Sequence, residues 1–223
     1  ADLIKAYQIK SENVIAHIRK ATQGEVNLAN THPFVRELWG EYWVFAHNGN
    51  LCDFHPAVGE FYRPVGNTDS ERAFCFILEQ LRQRFSHKPE QAVLMEHIAS
   101  LVKTIRGHGL FNVLMSNGDL MFAHARTLLH YIVRKAPFGE AVLLDDDINI
   151  DFAAVTTPND RVAVIATLPL TTNEQWQQLA VNELVCFQAG VVVFSDAPEP
   201  KQYMGIEEGL CIARKVGAAG KVD

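Results

Sequence analysis

No stretch of this 223-residue chain approaches the eighteen consecutive apolar residues that a membrane-crossing helix needs. Its opening, Ala1-Asp2-Leu3-Ile4-Lys5-Ala6-Tyr7, has neither the basic flank nor the apolar block of a signal peptide. Cysteine is scarce: Cys52, Cys75, Cys186 and Cys211 form no C-x-x-C pair and match no zinc spacing. They read as free thiols of a reducing compartment, so a cytoplasmic location is expected. Basic runs are also missing. With 20 Lys and Arg against 26 Asp and Glu, the net charge of −6 argues against neutralising several phosphates, and no nucleic-acid or membrane partner is expected. The chain holds no H-E-x-x-H, no H-x-H, no G-x-S-x-G elbow and no phosphate-binding loop. Gly107-His108-Gly109 is too short to cradle a phosphate, and Asp145-Asp146-Asp147 reads as a solvated turn between strands. The nine histidines fall at irregular intervals, so no metal and no cofactor is expected.

What is present is an ordinary globular composition, 48% apolar and 21% charged, in a chain long enough to bury a sizeable core. A β-branched run at residues 14–18 reads as a strand ending at Arg19. Residues 43–47 read as a second strand, closed by the turn dipeptide Asn48-Gly49. Thr68-Asp69-Ser70-Glu71 has the form of a capping box, with Thr68 as cap and Glu71 three residues on. Ala73, Phe74, Ile77, Leu78, Leu81 and Phe85 follow at helical spacing, which places Asp69 in the first turn of a helix. A second helix is expected from Pro89 to Gly107. Strands then follow at 111–116 and 120–124, joined by Asn117-Gly118, and at 129–134, 141–144, 162–167 and 184–194. Strands, two helices, then many strands with short turns predict an α+β layered domain with a largely antiparallel sheet.

Chemistry concentrates between His17 and Glu71. Arg19, at a strand end, is suited to fork onto a carboxylate, or to a structural ion pair. Asp69 can receive an ammonium group, or serve as a first-turn acid. The side-chain amide of Asn48 and the N–H of Gly49 are parts from which an oxyanion hole can be made, although Asn-Gly between strands is also an ordinary hairpin. Thr22 and Thr31 add hydroxyls near the Arg19 strand end.

In order and spacing, His17-x-Arg19-x-Ala21-Thr22, Asn30-Thr31-His32-Pro33-Phe34, His47-Asn48-Gly49 and Arg63-Pro64-Val65-Gly66-Asn67-Thr68-Asp69-Ser70-Glu71 resemble the glutaminase domain of class II glutamine amidotransferases. These are N-terminal-nucleophile hydrolases, and the wording of the blocks resembles the stand-alone YafJ-type branch. The resemblance implies a four-layer αββα sandwich of two mainly antiparallel sheets between helices. It implies that Arg19 binds the α-carboxylate of glutamine with Thr22 as a hydrogen-bonding neighbour, and that Asp69 pairs with the α-ammonium. Asn48 through its side chain and Gly49 through its N–H would form the oxyanion hole.

The implied reaction is hydrolysis of the side-chain amide of glutamine, or of a γ-glutamyl amide, through a cysteine thioester. The nucleophile of the family is an N-terminal cysteine; residue 1 here is Ala1. Residues 1–223 are therefore expected to be one glutaminase domain lacking the N-terminal segment that bears the nucleophile, and inactive alone. Cys52 and Cys75 read as packed thiols rather than substitutes. The expected partners are glutamine or a γ-glutamyl small molecule and a separate ammonia-accepting protein. The rival expectation is a catalytically silent domain, on the same fold, that binds an amino acid or a partner protein.

Overall fold

The computed structural model describes residues 11–18, 27–144, 149–151 and 156–217 of the chain. Strand β1 (Phe34–Leu38) turns back into β2 (Glu41–Leu51) through Trp39-Gly40, both at positive φ (59° and 81°), the signature of a two-residue I′ hairpin. β2 does not stop at Asn48-Gly49. It continues to Leu51, because β3 lies beside it and pairs Asn48 with Asn112 and Gly49 with Phe111; the long-range ladder overrides the turn preference of the dipeptide.

Helix α1 (Asp69–Arg84) begins where its cap predicts, with Thr68 Oγ1 accepting the Glu71 N–H at 3.2 Å. Only half of the capping box forms. The Glu71 carboxylate turns away from Thr68 to pair with Arg36 and to accept the N–H groups of Val65 (2.9 Å) and Gly66 (2.7 Å). Helix α2 (Gln91–Ile105) ends in one 3-10 turn, Arg106–His108, before Gly109 at φ 152°.

Strands β3 (Gly109–Ser116) and β4 (Leu120–His124) form the expected hairpin, in which Asn117 Oδ1 accepts the Leu120 N–H at 2.8 Å. Next come β5 (His130–Lys135), β6 (Glu140–Val142), β7 (Asn149–Asp151), β8 (Arg161–Ala166) and β9 (Gln177–Gln178). The segment read as one strand over 184–194 is two, β10 (Leu184–Gln188) and β11 (Val191–Ser195), reversed at Ala189-Gly190 with φ of 48° and 71°. Alanine at the first of these turn positions concealed the hairpin. The chain closes its described part with α3 (Ile206–Lys215).

The expected strand at 14–18 is not formed. Asn13 donates its side-chain amide to the Gly118 carbonyl at 2.5 Å and Ile15 packs on the core, but Val14 and Ile18 are exposed and residues 11–18 join no ladder. A β-branched run becomes a strand only where a free edge lies beside it. Arg19, Thr22 and Asp145-Asp146-Asp147 lie outside the described residues.

Among the described residues all ladders are antiparallel: a six-stranded sheet ordered β1-β2-β3-β4-β10-β11, a three-stranded sheet β8-β5-β9 and the pair β6-β7. The layering follows from β4, which is buried on both faces. Its Leu120 and Phe122 join Trp43, Phe45, Phe111, Phe74, Ile77 and Ile98 in the core beneath α1 and α2. Met121 and Ala123, pointing the other way, join Val185, Phe187 and Leu129, with Tyr131 and Ile165 of the second sheet packed against them. Helices, sheet and sheet thus stack in that order, the α+β arrangement of antiparallel sheets and helices that was expected. No helix among the described residues is long and apolar enough to cross a membrane.

Two buried groups make the fold sensitive to change. Removal of the carboxylate in Glu71→Ala leaves Arg36 and two backbone N–H groups without their acceptor, and should cost about 3 kcal/mol in urea unfolding. His124 is fully buried on the helix side; its Nδ1–H donates to Phe111 O at 2.5 Å, while its Nε2 has no hydrogen-bond partner among the described residues. Burial pushes its pKa down to about 3, from 6.5 in the unfolded chain. The unfolded state therefore gains a proton below pH 6.5 that the folded state refuses until about pH 3. Stability should fall through that window as pH drops, by up to about 1.4 kcal/mol per pH unit from this group. Urea midpoints between pH 7.5 and 5 should show this slope, and His124→Gln should reduce it, leaving the part due to the buried His47.

Candidate active site

The pairing of β1 with β2 ends at Phe34 opposite Phe45, so residues 46–51 of β2 have β3 on one side and no strand, among the described residues, on the other. Facing residues of an antiparallel pair alternate between those that exchange hydrogen bonds and those that do not. Cys52 N–H donates to His108 O at 2.8 Å, whereas Leu51 N–H is taken by Asp69 Oδ2 at 2.7 Å. Asn48 and Asn50 therefore bond to β3, and His47, Gly49 and Leu51 aim their N–H and C=O groups at the open edge. The Gly49 N–H points to the same edge as the Leu51 N–H, about 7 Å along the strand.

The Asp69 carboxylate sits at that edge because the Thr68 cap starts the helix there. Oδ2 accepts Leu51 N–H and Oδ1 accepts Ser70 N–H at 2.9 Å, which leaves each oxygen further lone pairs. Asn48 projects to the opposite face of the sheet from His47. Its cross-strand partner Asn112 lies on the Leu114 side of β3, toward the second sheet. No described residue hydrogen-bonds the Asn48 side-chain amide. The carboxylate and the outward Gly49 N–H thus share one strand edge, and the Asn48 amide projects from the sheet face beside it.

His47 braces this edge from below. Its Nε2 lies 2.8 Å from Leu110 O and its Nδ1 lies 2.8 Å from Ser70 Oγ. Burial pushes its pKa below the usual histidine value, against the pull of the Asp69 charge and of the Leu110 carbonyl. A neutral ring beside a carbonyl must carry its proton on Nε2, so Nδ1 accepts from the Ser70 hydroxyl. The same contact explains Gly49. A Cβ there would overlap Leu110 O and stand 2.5 Å from His47 Nε2, so any side chain would displace the brace.

The loop leading into the site is pinned from two directions. Asn30 Oδ1 accepts Asn67 N–H at 3.0 Å, and the Glu71 carboxylate holds Val65 and Gly66. Asn30 is itself buried at the end of the 3-10 turn Leu28–Asn30. Thr31 spends its hydroxyl on Asn27 O at 2.9 Å, and the His17 and His32 rings lie 4.6 Å apart.

Of the residues singled out in the sequence, Asn48 and Gly49 lie on β2 and Asp69 bonds the same strand at Leu51 N–H, while Arg19 and Thr22 fall outside the described residues. Among the described residues no group of three or more His, Cys, Asp and Glu side chains could hold a metal ion. Cys75 is packed in the core as expected, but Cys52, one residue past the end of β2, is exposed. Burial pushes the Cys75 thiol up to about 11 and the Cys186 thiol up to about 12, which leaves both protonated at neutral pH. Sequence reasoning missed Ser70 and Asn112. The signal for the second was legible: one amide in the otherwise apolar run of residues 110–115.

The family model for class II glutamine amidotransferases matches residues 1–208. A Haemophilus influenzae protein provisionally named a glutamine amidotransferase is 48% identical over 219 residues, 98% of this chain and 74% of that protein. YafJ of Escherichia coli, provisionally named in the same way, is 51% identical over 191 residues, 85% of this chain and 75% of its own length. The crystal structure of a predicted glutamine amidotransferase from Pseudomonas aeruginosa superposes with a TM-score of 0.72 at 50% identity, covering 80% of this chain and 70% of that one. With the family model matching over residues 1–208 and relatives at about half identity across most of their length, the chain belongs to the class II glutamine amidotransferases.

Proposed function

We propose that this domain hydrolyses the side-chain amide of glutamine, or of a γ-glutamyl amide, to glutamate and ammonia or amine through a cysteine thioester. The observation that carries the reading is the open edge of β2, where the outward Gly49 N–H lies two residues from the N–H bound by Asp69. An α-ammonium would take the remaining lone pairs of Asp69. In an extended glutamine the α-nitrogen and the side-chain oxygen are five bonds, about 6 Å, apart, comparable with the spacing of these two edge positions. The side-chain oxygen would then lie between the Gly49 N–H and the Asn48 amide.

A cysteine thiolate attacks the amide carbon and the π electrons move onto oxygen. Gly49 N–H and Asn48 Nδ2 stabilise the oxyanion as it forms. Collapse of the tetrahedral species expels ammonia, which leaves with a proton delivered by the α-amine of the cysteine. Water, giving a proton to the cysteine α-amine, attacks the resulting thioester through a second oxyanion in the same hole; the C–S bond then breaks, glutamate leaves and the thiolate is restored. Neither Cys75 nor Cys186 offers a thiolate, and the nucleophile of this proposal is the N-terminal cysteine implied by the family resemblance. Arg19, with Thr22 beside it, would fork onto the α-carboxylate; that assignment rests on the resemblance alone. The domain would be one glutaminase unit of a reducing, cytoplasmic compartment, with ammonia passed to a separate acceptor protein.

In the natural protein, Asn48→Ala should lower kcat for glutamine hydrolysis by about a hundredfold, with KM little changed. Asp69→Asn should instead weaken glutamine binding by about 2–5 kcal/mol, read as a raised KM or a lost calorimetric signal. Unaltered turnover in the first variant would remove Asn48 from the oxyanion hole. Unaltered binding in the second would return Asp69 to a purely structural role.

A further inference from the structure

Asn112 sits directly across β2 from Asn48, is 8% exposed and uses every hydrogen-bonding capacity of its side chain. Nδ2 donates to Asn48 O at 3.0 Å and to Thr127 Oγ1 at 2.9 Å. Oδ1 accepts the N–H groups of Arg126 and Thr127, each at 2.9 Å. An amide is the side chain that can do this, since two donors and two acceptor lone pairs are required on one planar group.

The Asn48 carbonyl and the Gly49 N–H belong to the same peptide unit. In a trans peptide they point in opposite directions, so whatever holds one aims the other. Asn48 O faces β3, where the ladder already gives it the backbone N–H of Asn112 in a hydrogen-bonded pair. The side chain of Asn112 adds a second donor to that oxygen. Two donors on the carbonyl hold the plane against rotation and polarise the peptide, which makes its N–H a stronger donor. Such a clamp matters at this position because β1 pairs with β2 only as far as Phe45, and among the described residues this part of β2 is held by a strand on one side.

The far end of the clamp is rigid. Ala125 N–H donates to Glu183 O at 3.1 Å and Asn182 N–H donates to Ala125 O at 2.7 Å. The Arg126 guanidinium bonds Asn182 Oδ1 at 2.7 Å, and Arg106 bonds the Asn182 carbonyl at 2.6 Å. The segment that receives Oδ1 of Asn112 is therefore fixed to the start of β10 and to the end of α2.

We propose that Asn112 is a positioning residue for the reaction. It locks the Asn48–Gly49 peptide with the Gly49 N–H directed outward, so that the oxyanion hole stands ready before substrate arrives. The assignment rests on the oxyanion reading of Asn48 and Gly49 given above. It concerns geometry that also exists in the free protein, so it has a readout independent of turnover.

The test is Asn112→Asp in the natural protein, which keeps the acceptor for Arg126 and Thr127 but replaces both donors with carboxylate oxygen. The kcat for glutamine should fall about tenfold or more, with KM within about twofold of its normal value and the melting temperature near native. In ¹⁵N-labelled protein without substrate, the Gly49 amide proton should shift upfield as its peptide loses polarisation. Thr127→Val loosens Asn112 without touching Asn48. It should give a smaller kcat loss and a smaller shift in the same direction, and it decides the matter if Asn112→Asp does not fold. Normal kcat together with an unmoved Gly49 resonance in a folded variant overturns the proposal. A natural protein that releases no ammonia from glutamine would instead defeat the functional reading, while the Gly49 resonance would still report whether Asn112 holds the peptide.

Discussion

The hydrogen bond from Leu51 N–H to the Asp69 carboxylate joins the first turn of a helix to the last residue of a strand, and the candidate site hangs on that joint. It satisfies a backbone donor that no neighbouring strand covers among the described residues, and it orients the acid at the strand edge. Each partner is placed by a separate part of the fold. Leu51 is delivered by the ladder with β3, and Asp69 by the cap at Thr68. Distortion on either side would separate the carboxylate from the strand edge.

Around this joint, much of the polar chemistry is structural. Glu71 looked like the second half of a capping box, yet its carboxylate serves the loop before the helix and the Arg36 guanidinium. Glu79, about two turns further along the helix, accepts the N–H groups of Phe61 (3.1 Å) and Tyr62 (2.9 Å), which fixes the approach to that loop. Asn30 closes it from the other side. Buried carboxylates and amides are costly unless satisfied, and here each is satisfied by backbone donors of one loop. The loop has no regular structure, so these side chains substitute for a ladder. His47 acts in the same manner, as a neutral strut between Ser70 and Leu110 rather than as a titrating base.

The parts of the fold written in local pattern were legible in the sequence. The helical spacing from Ala73 to Leu81, the Thr68 cap and the Asn117-Gly118 hairpin needed only short-range rules. Errors arose where a distant partner decides. Asn48-Gly49 carries a turn signal, but eight residues of β3 hold it extended. Ala189-Gly190 carries a weak one, but the hairpin forms because both of its arms find places at the edge of the large sheet. Residues 14–18 have strand composition and no ladder. The site was half legible for the same reason. Asn48, Gly49 and Asp69 stand out as polar and small residues at element ends, whereas the role of Asn112 exists only once β3 lies against β2. Which edge the Gly49 N–H faces is likewise a matter of register, and register is not a local property.

The measurement closest to the central claim is the intact mass of the natural protein before and after treatment with a diazo-ketone analogue of glutamine. The account predicts one covalent adduct, suppressed by excess glutamine and mapped to an N-terminal cysteine, with Cys52, Cys75, Cys186 and Cys211 unmodified. A protein that gains no adduct, or gains one at the exposed Cys52 or Cys211 that glutamine does not suppress, would contradict it.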